Sequence, residues 1–87
     1  METTITDSRT MYRLKDRMDA ARDNYGPYRS LHEAYAVLLE EVDELWQIVK
    51  MKRGANGPAL DRRITEEALD IAAVALRIAN LELDTER

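Results

Sequence analysis

Apolar residues recur along this chain at spacings of three and four, the period of an amphipathic helix. Over residues 7–24 that period is carried by Met11, Leu14, Met18 and Ala21, with Thr6 or Asp7 where an N-cap belongs. Over residues 30–53 the stripe is Leu31, Leu38, Val42, Leu45 and Val49. Tyr35 and Trp46 flank it on one side, and Ala34, Val37 and Ile48 on the other. Ser30-Leu31-His32-Glu33 reads as a capping box, Ser30 capping forward and Glu33 reaching back. Lys50, Lys52 and Arg53 fall in the expected last turn, where positive charge suits the helix dipole, and Gly54 fits a left-handed stop. The third segment starts between Pro58 and Asp61 and runs to about residue 83, with Pro58 suited to the first helical position. Leu60, Ile64, Ile71, Ala75 and Ile78 make one of its apolar faces, and Leu69, Ala73, Leu76 and Leu83 a second, nearly opposite.

Gly26-Pro27 and Gly54-Ala55-Asn56-Gly57-Pro58 separate these segments, and no alternating run of β-branched residues reads as a strand. The expectation is one all-α domain over residues 1–87, with about three helices. Two apolar faces on the third helix imply one face in the core and one against a partner subunit, completing a four-helix-type bundle. Tyr35, Trp46, Met11 and Met18 read as packing residues. His32, with no nucleophile beside it, reads as a polar surface residue, and Tyr12, Tyr25 and Tyr28 flank the first break.

Composition narrows the chemistry. With no cysteine and one histidine, disulfides, thiolate metal sites and a multi-histidine zinc site within one chain are excluded. No apolar run approaches the roughly 20 residues of a membrane span. The first residues show neither the basic nor the apolar region of a signal peptide, so a cytoplasmic protein with no membrane partner is expected. Thirteen Lys+Arg against 17 Asp+Glu leave a net charge of −4, which argues against broad nucleic-acid binding. Chemistry must come from carboxylates, Lys/Arg, hydroxyls and Asn.

The carboxylates are placed unusually. On a helical wheel Glu41 falls between Leu38/Leu45 and Val37/Ile48, inside the apolar sector of the second segment. Glu44 sits at the edge of that sector, while Glu40, Asp43 and Gln47 fall on the polar side. In the third segment Glu67 lies among Leu60, Ile71, Ile78 and Val74. Asp70 lies beside Val74 on a narrow polar strip with Arg63 and Arg77. A carboxylate among apolar neighbours is costly unless compensated. Two helices each aiming two acids, at i and i+3, from such a face imply a shared hard cation, because four converging carboxylates repel. Oxygen-only ligation favours Mg2+, with Mn2+ as the alternative.

Glu40-Glu41-Val42-Asp43-Glu44-Leu45 is similar to an EExxEL motif, and Glu66-Glu67-Ala68-Leu69-Asp70 to an EExxD motif. Together with the run from Asp70 to Asn80 they resemble the signature of the MazG-like, all-α nucleoside triphosphate pyrophosphohydrolases. The resemblance covers residues 31 to about 84. It implies Mg2+-dependent cleavage of a (deoxy)nucleoside triphosphate to the monophosphate and pyrophosphate. It implies Glu41, Glu44, Glu67 and Asp70 as metal ligands, with Glu40 or Glu44 positioning or deprotonating water. Lys50, Lys52, Arg53, Arg62 and Arg63 flank the loop and suit phosphate contacts, and Asn80 suits phosphate or base. Members of that family form dimers or tetramers, and many continue into a further helix where this chain ends. A homodimer or homotetramer is therefore expected, a second subunit supplying the missing wall. The residues taken alone also fit a module that holds a nucleotide without cleaving it, or a helical interaction module.

Overall fold

The computed structural model describes residues 8–51 and 54–84. They form α1 (Ser8–Tyr25), α2 (Leu31–Val49), a short 3-10 turn (Gly54–Asn56) and α3 (Gly57–Ala79), with no strand among the described residues. The candidate caps Thr6 and Asp7, and the basic residues Lys52 and Arg53, lie outside the described residues.

The third helix is the scaffold. Both α1 and α2 pack on it, and among the described residues they do not pack on each other. Leu14 and Met18 of α1 close over Leu69 and Ala73 of α3. Ala34 of α2 and Tyr28 close over Val74, with Val37, Leu38, Ile78 and Leu83 around them. The expected two-faced third helix is therefore present, but its Leu69/Ala73 face is covered by α1 of the same chain, not by a partner.

Helix α2 turns a different side inward than the centre of its apolar sector suggests. Ala34 and Ile48 are buried, with Val37, Leu38 and Leu45 half-buried. Tyr35 and Trp46, expected in the core, are 59 % and 55 % exposed, and Leu31, Leu39, Val42 and Val49 are exposed with them. The apolar sector is wider than one neighbouring helix can cover. Ala34, fully buried against Val74 of α3, marks the inward edge, which holds residues 34, 37, 38, 41, 45 and 48. Glu41 belongs to that edge and is carried into the helix–helix contact. Met11, also expected to pack, is exposed on α1.

The caps explain the helix limits. Gly26, at φ +70, closes α1 as its N–H donates to Arg22 O at 3.0 Å. Ser30 Oγ accepts from Glu33 N at 3.1 Å, as a capping box requires, but the Glu33 carboxylate accepts from Arg29 N at 2.6 Å, one residue before the expected donor. α2 ends at Val49, so Lys50 is its C-cap and not part of its last turn. Gly54 does adopt the left-handed conformation, at φ +46, but it opens the 3-10 turn. Pro58 stands in the first turn of α3 as expected.

α3 stops at Ala79, earlier than its composition suggests. Glu82 N–H donates to Arg77 O at 3.0 Å and Leu81 N–H to Ile78 O at 2.8 Å, with Leu81 at φ +53. This is a Schellman stop with leucine where glycine is usual. Beyond it the chain folds back on the α1–α2 turn. Tyr28 N–H donates to Glu82 O at 3.0 Å, and Asp84 N–H to Tyr28 O at 2.7 Å. Arg77, expected on an open polar strip, is instead 2 % exposed. Its guanidinium stacks on Tyr28 at 4.5 Å and donates to Gly26 O and to Glu82 at 2.8 Å. The hydrogen bond from Arg22, with those from Arg77 and Asn80, outweighs partial burial and pulls the Glu82 carboxyl down to about 2. Stability from this clamp is full above the ordinary carboxylate range and is lost as pH falls towards 2.

Leucine at φ +53 is strained, and Leu81 is 64 % exposed, so its side chain packs little. Leu81→Gly should therefore stabilise the fold by about 0.5–1 kcal/mol, the relief of left-handed strain exceeding the added freedom of the unfolded chain. Thermal unfolding followed by circular dichroism checks this, and a lower Tm would contradict it.

Candidate metal centre

The i, i+3 spacing of Glu67 and Asp70 sets both acids on the side of α3 that α2 covers at Glu41. Glu41, Glu67 and Asp70 each offer one carboxylate oxygen, and these three atoms lie within 4.8 Å of one another. All three side chains are half-buried. Among the described residues, Oε1 of Glu41 and Oε1 of Glu67 are buried with no hydrogen-bond partner. Two bare acceptors enclosed in this way leave a place for a proton or a cation between them.

The electrostatics agree with the geometry. Burial first, then the charges of Glu44, Asp70 and Glu67, push the Glu41 carboxyl up to about 7. Burial and the Glu44 carboxylate raise Glu67 as well. Glu44 itself is exposed and stands outside the cluster of three, but its charge acts on both. A Glu41 carboxyl raised to about 7, beside carboxylate oxygens whose lone pairs are unused, belongs to a donor set that a hard divalent cation completes. The residues present therefore fit Mg2+ or Mn2+.

One flank of the cluster is neutralised from α1. Arg17 Nη1 donates to Asp70 Oδ1 at 2.6 Å and to the Glu66 carbonyl oxygen at 2.8 Å. Arg17 Nη2 also pairs with the Glu66 carboxylate, which Arg13 Nη2 meets at 2.8 Å. The other flank opens on a cavity of about 690 Å3, left where α1 and α2 stand apart over α3. Its lining includes Glu40, Glu41, Asp70 and Arg17, together with Asn24, Tyr25, Tyr28, Arg29 and Arg77.

The other sequence candidates are dispersed. Glu40 is exposed on α2 and borders the cavity. Lys50 lies 5.6 Å from the centre of the Trp46 ring. Arg62 and Arg63 are exposed near the start of α3. Asn80 caps the C-terminus of α3, its amide 3.3 Å from Glu82. None of these last four lines the cavity around Glu41 and Asp70. Sequence reasoning missed Arg13 and Arg17. Their signal was the matched spacing: Arg13 and Arg17 are four apart beside the Leu14/Met18 stripe, as Glu66 and Asp70 are beside Leu69 and Ala73.

Comparison of the chain with protein-family models, with curated proteins and with solved structures found no match.

The raised Glu41 carboxyl sets a pH dependence for the metal-free protein. Folding favours its protonated form, so stability falls as pH rises from about 4.5 to about 7 and is level above that range. In chelator, Glu41→Gln should raise Tm at pH 8, by roughly 4–8 °C for a gain of about 1 kcal/mol. The gain should fade as pH approaches 4.5. A variant less stable than the parent at pH 8, or a gain that persists unchanged at low pH, would contradict the assignment.

Proposed function

We propose that this chain is a Mg2+-dependent nucleoside triphosphate pyrophosphohydrolase, converting a (deoxy)nucleoside triphosphate to its monophosphate and pyrophosphate. The observation that carries this reading is the convergence of Glu41, Glu67 and Asp70 at the edge of a cavity of about 690 Å3. It is supported by the two acidic motifs from which these residues come.

In this reading Glu41, Glu67 and Asp70 hold Mg2+, or Mn2+ in its place, and Glu44 adds charge or a further ligand. When bound, the cation offsets phosphate charge, orients the triphosphate and lowers the pKa of the attacking water. Glu40, at the cavity border, is the side chain to accept that proton, and Glu44 is its alternative. Water adds to the α-phosphorus as its bond to the bridging oxygen of the departing pyrophosphate breaks, the pyrophosphate taking the electron pair. Arg29 offers a cation to the phosphates, and Asn24 and Tyr25 offer an amide and an exposed ring to the base. Lys50, Arg63 and Asn80 stand away from this cavity, so the phosphate contacts of this reading come first from α1 and the turn after it.

The test is incubation with a panel of NTPs and dNTPs plus Mg2+, followed by chromatography. Monophosphate and pyrophosphate are expected from at least one of them. Glu67→Gln should lower kcat/KM by about 100-fold or more with the helical circular dichroism intact. Absence of product from every substrate, with folded and Mg2+-supplied protein, would remove the enzymatic reading.

The interaction reading is favoured by a separate observation, and the two are compatible. Leu31, Tyr35, Leu39, Val42, Trp46 and Val49 lie exposed along α2. At about half exposure, side chains of this size leave roughly 600 Å2 of apolar surface uncovered, near the ~800 Å2 each partner gives to a standard interface. We infer that α2 pairs with its copy in a homodimer, or in a homotetramer, to complete a four-helix-type bundle. Light scattering behind size exclusion should give a dimer or larger, and Trp46→Glu should shift it to monomer. A parent protein that is monomeric at high micromolar concentration would contradict self-association.

A further inference from the structure

The Arg17 guanidinium stands where two demands meet. It borders the cavity, and it is bound to Asp70, one of the three carboxylates that converge on a common point. It also spans two helices, since its other contacts are the Glu66 carbonyl oxygen and carboxylate. A divalent cation on Asp70 would put two like charges on one carboxylate. The cation takes lone-pair density that Arg17 now uses, and it repels the guanidinium. Arg17 has somewhere to go: its side chain is 27 % exposed and its neighbour is the open cavity. Glu66 keeps a second cation, Arg13, whatever Arg17 does. The α1–α3 contact therefore does not depend on Arg17 alone, and Leu14 and Met18 pack there independently.

We propose that Arg17 is a displaceable internal counter-ion of Asp70, which a divalent cation replaces and thereby frees to meet the phosphates of a nucleoside triphosphate in the cavity. This rests on the metal-site reading above and adds an order of binding to it: metal first, then triphosphate. In the metal-free protein the guanidinium neutralises the acidic flank and competes with the cation. In the loaded protein the same fork is available to a phosphate, whose paired oxygens suit its geometry. Arg17 is thus a substrate-positioning residue on α1, a helix that carries neither acidic motif.

The experiment is titration with Mn2+ alone, with free Mn2+ read by electron paramagnetic resonance. It compares the parent protein, Arg17→Met and Arg13→Met. Arg13→Met removes the same charge from the same helix without touching a proposed ligand, so it measures the general field. Arg17→Met should bind Mn2+ about tenfold more tightly than Arg13→Met does. At saturating Mn2+, affinity for a non-hydrolysable triphosphate should fall about tenfold in Arg17→Met and much less in Arg13→Met. Arg17→Lys, which keeps the charge but loses the fork, should fall between parent and Arg17→Met in Mn2+ affinity, and provides the test if the methionine variant does not fold. Mn2+ affinity in Arg17→Met equal to or weaker than in Arg13→Met would overturn the proposal and make Arg17 a fixed support of Asp70. Unchanged triphosphate affinity would overturn its second half. If no form of the protein binds Mn2+, the metal-site reading itself fails. If Arg17→Met alone binds Mn2+, the carboxylates can hold a cation but the cation does not displace Arg17 in the parent, and the proposal is overturned.

Discussion

Three carboxylates held at one helix–helix contact are the constraint around which this small protein is arranged. Burying an acid against another acid opposes folding, and here burial and mutual repulsion lift Glu41 to about 7. The contact survives because its apolar surroundings are well placed. Ala34, Val37 and Leu38 on α2 meet Val74 and Ile78 on α3, and they draw in the edge of α2 that carries Glu41. Burial of that edge against α3 carries the acids into the contact. A site of this kind is a local defect in packing that a ligand can repair, and two orphaned buried oxygens show what is left to repair.

The rest of the fold serves to hold that contact in place. With α3 between them, α1 and α2 do not meet among the described residues, and the gap becomes a cavity with the acids at its border. α1 supplies the neutralising side through Arg13 and Arg17. At the far end, Arg77 ties the α1–α2 turn to the segment after α3, through Gly26 O, the Tyr28 ring and Glu82. The orientation of α2 also leaves its widest apolar stripe in solvent, so the forces that assemble the acids create the surface through which copies of the chain would associate.

How much of this was legible in the sequence differs by residue. Helix number, the Ser30 cap and the Gly26 stop follow from local chemistry, which a sequence states directly. Glu41 and Glu67 were visible because an acid within an apolar sector is a contradiction on any wheel. The side of α2 that faces α3 was not visible: its apolar sector is broad, and nothing in the pattern singles out the edge at Ala34 that is buried. That burial turned Tyr35 and Trp46 outward. The end of α3 was hidden because Leu81 takes a conformation usually given to glycine, and nothing in an Ala/Leu-rich run announces it. Arg77 looked like one more surface cation, since its partners lie 51 residues back in the turn and five residues ahead beyond the stop. Arg17 was legible only as a pair of matched spacings, which acquire meaning once α1 is known to lie on α3.

We propose above that Glu41, Glu67 and Asp70 form one divalent-cation site. Crystals soaked in Mn2+ and measured on both sides of its absorption edge test it most directly, because the anomalous difference locates the ion without reference to activity. A peak is expected between α2 and α3 within coordination distance of all three carboxylates. A map with no peak there, or with Mn2+ bound only at other surface acids, would contradict it.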